Sequence, residues 1–234
     1  MRVIAKVYNM RYPFFMNVYL AIMLCFIPLF AFILLIRFFF NIHFITELTA
    51  VLLGLAAVLP ISFLQFYISG FAPFASNIWH TQFLRALFFN GFIEELIKMV
   101  VLILLPSKKL SLGKFLLCSL LCGISLGCFE SAIYFLQRLQ HAHALGAQLV
   151  YRQIFMRMFT TDIVHALCAG LSCFFVWGSK NKKVHVLPFI FAVLLHGLYN
   201  FFALYDALRV FSFVAILFMA IQCRLYYMKF AKKK

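Results

Sequence analysis

Long apolar runs, interrupted by charge, proline and glycine, predict seven membrane-spanning helices at about 14–36, 46–68, 83–105, 114–136, 157–177, 185–204 and 207–228. At about 1.5 Å per residue, each is long enough to cross a hydrocarbon layer about 30 Å thick. The remaining stretches are too short for a separate soluble core. The expectation is therefore an all-α polytopic membrane bundle of about seven helices, forming a single domain over 1–234. SGFAPFASNIWHTQ, between helices two and three, reads as an interfacial connection. QRLQHAHALGAQLVYRQ, after helix four, reads as a solvated loop or surface helix. Its His141 and His143 would hold a metal together on a strand but point apart on a helix.

Composition strengthens this reading. Hydrophobic residues make up 66% of the 234 positions, against about half in soluble domains. The net charge of +15 sits at segment ends and in short connections rather than along one face, which argues against nucleic acid and for topology signals and anionic lipid. More than half of the basic residues fall on the side of Arg37, SKKLSLGK, GSKNKK and the Lys-rich C-terminus. Arg2, Lys6 and Arg11 fall on the other, so the positive-inside rule gives conflicting orientations. The apolar run behind those three exceeds a signal-peptide core and lacks a small-residue cleavage site, so it is expected to remain as the first span. The seven cysteines all lie in apolar runs, form no C-x-x-C pair, and read as small core residues.

Only six acidic residues occur, and two are adjacent inside an apolar run, GFIEELIKMVVL. A charge at the centre of a span costs roughly 2.5–3.5 kcal/mol, so it calls for a partner, a wet cavity or a function. Four consecutive predicted helices carry such groups: Glu94, Glu95 and Lys98; Glu130; Asp162 and His165; His196 and Asn200. Counted from the helix ends, they lie near one depth, displaced away from the Lys-rich loops. Spacing of three or four residues lets Lys98 reach either glutamate and puts Tyr134 beside Glu130, and Asn200 beside His196. Ser119, Gly123, Gly127 and Ser131 form a small-residue stripe suited to close helix approach next to Glu130.

Adjacent carboxylates, an opposed histidine and a trapped water are the parts of a general-base hydrolase, and His196 with Asn200 could donate to an oxyanion. H-E-x-x-H is missing from the sequence, and its one G-x-S-x-G match, GISLG (123–127), lies inside a predicted spanning helix rather than at the strand-to-helix turn of a nucleophile elbow. A zinc site would have to be assembled from Glu94 or Glu95, His165 and His196 on separate helices. Carboxylate and histidine chains also carry protons, so a proton-coupled transporter and a non-catalytic membrane scaffold stay open as alternatives.

EELIK (94–98), GISLGCFESAIYF (123–135), RMFTTDIVHALCAG (157–170) and HGLYN (196–200) resemble, in order and spacing, the four motif blocks of the PrsW family of membrane proteases. That family is similar to the CAAX prenyl endopeptidases and bacteriocin-processing enzymes. The resemblance covers about 83–204; one departure is Ser131, where the family usually has asparagine after the glutamate. It implies a glutamate-type endopeptidase in a bacterial cytoplasmic membrane, acting on membrane-associated regulators such as anti-sigma factors, with no required metal or cofactor. It also makes Glu94 and Glu95 the catalytic pair, the first favoured as base, with Glu130 and His165 in the site. His196 and Asn200 fall where the wider superfamily stabilises an oxyanion, and Lys98 and Tyr134 support.

Overall fold

The computed structural model describes residues 18–69, 78–107, 110–139 and 147–232. The basic N-terminal cluster, His141, His143 and most of the connection between the second and third predicted helices lie outside them. Among the described residues the chain is helical almost throughout: α1 (Val18–Cys25), α2 (Ile27–Phe40), α3 (Phe44–Ser69), α4 (Trp79–Arg85), a π-helical segment (Ala86–Ile93), α5 (Glu94–Leu104), α6 (Leu112–Leu139), α7 (Ala147–Phe159), α8 (Thr161–Lys180), α9 (Leu187–Leu204) and α10 (Arg209–Ala231).

Five helical stretches are long and apolar enough to span a bilayer, and α1 with α2 forms a sixth, bent by 41°. Pro28 in the first turn of α2 explains the bend, because it brings no N–H and disfavours helical backbone in the residue before it. The third expected helix, 83–105, is realised differently. Trp79–Leu104 is continuously helical but contains a π-helical middle, so the described residues give five to six candidate spans against the seven expected. The stretch after helix four, expected as a solvated loop or surface helix, is helical from Ala147, and a break at Thr160 separates α7 from α8.

Burial ranks the helices. About two thirds or more of the apolar windows of α6 and of α7–α8 are buried, 67% and 72%, against 22% for both α3 and α10. α6 and α8 are therefore the central pair, and the outer helices turn large residues such as Phe38, Phe66 and Val210 outward, where hydrocarbon covers them. The small-residue stripe sets the central contact: a Cβ on Gly123 would collide with the His165 carbonyl oxygen, and one on Gly127 would stand 2.9 Å from Asp162 Cα. Without side chains at these two positions, the α6 backbone lies directly against the turn of α8 that carries His165.

A second close approach fixes the third helix. A Cβ on Gly91 would lie 2.6 Å from the Val193 carbonyl oxygen, and one on Gly197 2.8 Å from Leu87 Cα, so α9 rests on the π-helical backbone itself. At the end of the bundle opposite Trp79, Lys114 donates to the Asn41 carbonyl at 3.1 Å and Lys180 to that of Leu105 at 2.8 Å. These lysines satisfy carbonyls where α2 and α5 end, the end of a helix that favours cations. All seven cysteines are buried and unpaired, as expected of small core residues.

Gly123→Leu should destabilise the protein by more than the about 1–3 kcal/mol usual for overpacking, because the obstacle is backbone rather than a movable side chain. Gly123→Ala should fall between wild type and Gly123→Leu in thermal unfolding in detergent micelles. Equal unfolding temperatures for all three would remove the central contact from this account.

A buried carboxylate and imidazole cluster as candidate active site

Glu94 and Glu95 begin α5, where the π-helical segment gives way to regular helix. Neighbours on an α-helix point about 100° apart, so the two carboxylates meet different helices. Glu95 turns inward and is fully buried; Lys98, also fully buried, bonds its Oε1. His196 of α9 meets the same oxygen through Nδ1 at 2.6 Å. Glu94 turns toward α3, where Gln65 Nε2 donates to its Oε1 at 2.8 Å.

The other oxygen of Glu94, Oε2, is buried and has no hydrogen-bond partner. It lies 3.9 Å from His165 Nδ1 and 3.8 Å from His196 Nε2. The two rings meet edge to face, with centroids 5.1 Å apart at 85°. Each ring's far nitrogen meets a carboxylate: His165 Nε2 contacts Glu130 Oε2 at 2.6 Å, and His196 Nδ1 contacts Glu95. A carboxylate accepts, so these nitrogens carry the protons, and the lone pairs of His165 Nδ1 and His196 Nε2 face Glu94. Lys98 Nζ, 3.1 Å from His165 Nδ1, donates to that lone pair.

Glu130 is held twice. Its Oε1 accepts from Arg157 Nη2 at 2.9 Å while Oε2 takes His165, and its side chain keeps 40% of its exposure. Arg157 also lies over the Tyr134 ring at 4.4 Å and donates through Nε to Ser131 Oγ at 3.4 Å. Ser131 in turn donates to Asp162 Oδ1 at 3.0 Å, so its hydroxyl ties α6 to the start of α8. A cavity of about 200 Å³ lies over Glu94 and Glu130, lined also by Gln65, Asn90, Tyr134 and Gln137.

Five of the six residues expected to be catalytic therefore converge: Glu94, Glu95, Glu130, His165 and His196, with Lys98 bonded to Glu95 and Tyr134 stacked under Arg157 and lining the cavity over Glu94 and Glu130. Asn200 does not join them. Its amide donates to the His196 carbonyl at 3.2 Å, one turn along its own helix, and it lines a separate outer cavity. Asp162 shares the face of His165 in sequence but is taken up by Ser131 and Cys128. Two contributors were not anticipated, Gln65 and Arg157. Gln65 is a lone amide in an apolar run, which is its only sign in the sequence, whereas Arg157 opens the third motif block without a role having been assigned to it.

The cluster also offers a metal-ligand set. One ligand atom each from Glu94, His165 and His196 all lie within 4.8 Å of one another. Zn–N and Zn–O bonds of about 2.0–2.2 Å let three such atoms share an ion after small side-chain movements. The unpartnered Oε2 and the carboxylate behind each imidazole are what such a site requires. Lys98 would have to give up His165 and keep Glu95.

Fold and site together define a multi-pass helical membrane protein with a buried acid–base centre shared by four helices. Residues 43–224 match the family described as PrsW family intramembrane metalloprotease, and the chain belongs to that family. Comparison with curated proteins returned no match, and comparison with solved structures returned none.

Removing one partner of a buried ion pair typically costs about 3–5 kcal/mol. Lys98→Met should lose stability on that scale, and the double variant Lys98→Met with Glu95→Gln should recover part of it, since the stranded charge is gone. Chemical unfolding in micelles measures both; an additive double variant would mean that the two side chains do not act as a pair.

Proposed function

We propose that the chain is a membrane-embedded endopeptidase that hydrolyses a peptide bond of a membrane-associated protein, with Glu94, His165 and His196 at the reacting centre. The observation that carries the reading is the convergence of the free Glu94 oxygen with two imidazole lone pairs beneath a polar cavity. Membership of the PrsW family supports the same class of activity.

The residues present fit a divalent cation, which Glu94, His165 and His196 would hold. When bound, such an ion polarises a carbonyl and makes water nucleophilic near neutral pH. Glu95 and Glu130 fix the tautomer and direction of the two imidazoles, and Arg157 and Lys98 keep those carboxylates in place.

A second reading, a glutamate-type mechanism without metal, is favoured by Lys98, whose ammonium lies where an ion on His165 Nδ1 would repel it. Here Glu94 takes a proton from water as the oxygen adds to the carbonyl carbon. The C–N bond then breaks, and that proton passes to the departing nitrogen. Lys98 is the donor on the oxyanion side, since the imidazole N–H groups are taken by Glu130 and Glu95.

Purified protein in lipid nanodiscs, incubated with single-pass substrates, tests the proposal. Glu94→Gln, His165→Ala and His196→Ala should each lower cleavage by about 10²–10⁴-fold; undiminished cleavage in all three would remove the centre from the assignment. Elemental analysis separates the readings. The metal reading expects bound ion that falls together in the three variants, with loss of activity to chelator and recovery on adding zinc. The glutamate reading expects indifference to chelator.

A further inference from the structure

Outside the cavity over Glu94 lies a larger one of about 620 Å³, and the two share Ser62, Gln65, Asn90 and Gln137. They therefore adjoin, the outer one lying toward the bundle end away from Lys114 and Lys180. Its polar lining is five carboxamides, Gln65, Gln82, Asn90, Gln137 and Asn200, the hydroxyl residue Ser62 and one cation, Arg85. Carboxamides offer both donors and acceptors, the pattern that matches an extended peptide backbone.

Arg85 has no anion of its own. The chain has six acidic side chains, and each is engaged elsewhere: Glu47 with Arg37, Glu94 with Gln65, Glu95 with Lys98, Glu130 with Arg157, Asp162 with Ser131 and Asp206 with Arg209. A half-buried guanidinium in a chamber of neutral amides has a planar fork that suits a carboxylate.

Resting on the peptidase reading above, we propose that this outer chamber is a substrate subsite in which Arg85 selects the side-chain carboxylate of an Asp or Glu in the peptide. Distance makes the proposal specific. Arg85 and Glu94 are nine residues apart along one continuous helical stretch, at most about 13 Å at the α-helical 1.5 Å per residue and less through the π-helical Ala86–Ile93. An extended peptide advances about 3.3 Å per residue, so the selected carboxylate lies about three to four residues from the scissile bond.

The probe is a library of single-pass helices, each followed by a randomised extramembrane segment, read by mass spectrometry. Two readouts are taken in nanodiscs: capture by the full-length Glu94→Gln protein, and cleavage by the protein with Glu94 intact. The proposal expects captured segments to be enriched in Asp or Glu about tenfold over Lys at one position. With cleavage, that position should lie three to five residues from the cut. Arg85→Glu should reverse the preference toward Lys, and Arg85→Lys should retain a weaker acidic preference. Acidic capture without cleavage would uphold the subsite and overturn the peptidase reading. Capture or cleavage indifferent to acidic residues, or no capture, would overturn the subsite. So would an effect of Arg85→Glu that follows the anionic lipid content of the nanodisc instead of the peptide sequence, since Arg85 would then be meeting lipid phosphate.

Discussion

Lys98 is fully buried inside a membrane bundle, and the rest of the polar core is arranged around the need to keep its ammonium partnered. It bonds Glu95 and reaches His165. Arg157 plays the corresponding part for Glu130 at the wetter edge. Two cations thus neutralise two of the three glutamates at the centre. Glu94 is the one left without a cation within salt-bridge distance, held by the neutral amide of Gln65 and facing two imidazole lone pairs. The carboxylate available for chemistry is the one that the structural ion pairs leave over.

Adjacency in sequence is what allows this division. Two carboxylates on one face would share partners and repel; one residue of helical rotation sends Glu95 toward α9 and Glu94 toward α3. The arrangement works only if the helices that carry its partners come very close: Gly91 and Gly197 let α9 rest on the π-helical segment, and Gly123 and Gly127 let α6 rest on α8. Within hydrocarbon, apolar burial does not distinguish protein from lipid, so small-residue contacts and polar bonds must hold the bundle together. The same groups therefore fasten the helices and build the site, and Ser131, tied to both Asp162 and Arg157, does both at once.

Much of this was legible in the sequence because hydrocarbon is an exacting solvent. It makes apolar length readable as spans, and it makes every intramembrane charge conspicuous, so Glu94, Glu95, Glu130, His165 and His196 could be found from depth alone. What failed depends on rotation and bending. The π-helical segment leaves no periodic signature, so 83–105 read as one regular helix. Four-residue spacing placed Asn200 with His196, but its amide bonds to its own helix and sits a turn away from the rings. Gln65 escaped notice because one amide is inexpensive beside a charge, and no charged residue lies near it on α3. The ligand set of Glu94, His165 and His196 has no linear motif, since three helices contribute one atom each.

The position of the cluster also bears on how a peptide bond could reach it. A spanning substrate satisfies its backbone by helical hydrogen bonds, and a segment extended for attack loses them in a medium that offers no replacement. The carboxamides of the outer chamber stand between the bundle's end and Glu94, where such a segment would have to unwind. Each carries donor and acceptor together, so the chamber can replace lost helical bonds whatever the side chains of the passing segment. Depth and lining then answer one requirement. The groups proposed to react are buried within the bundle, yet lie within a few extended residues of a polar surface on which the proposed peptide backbone could rest.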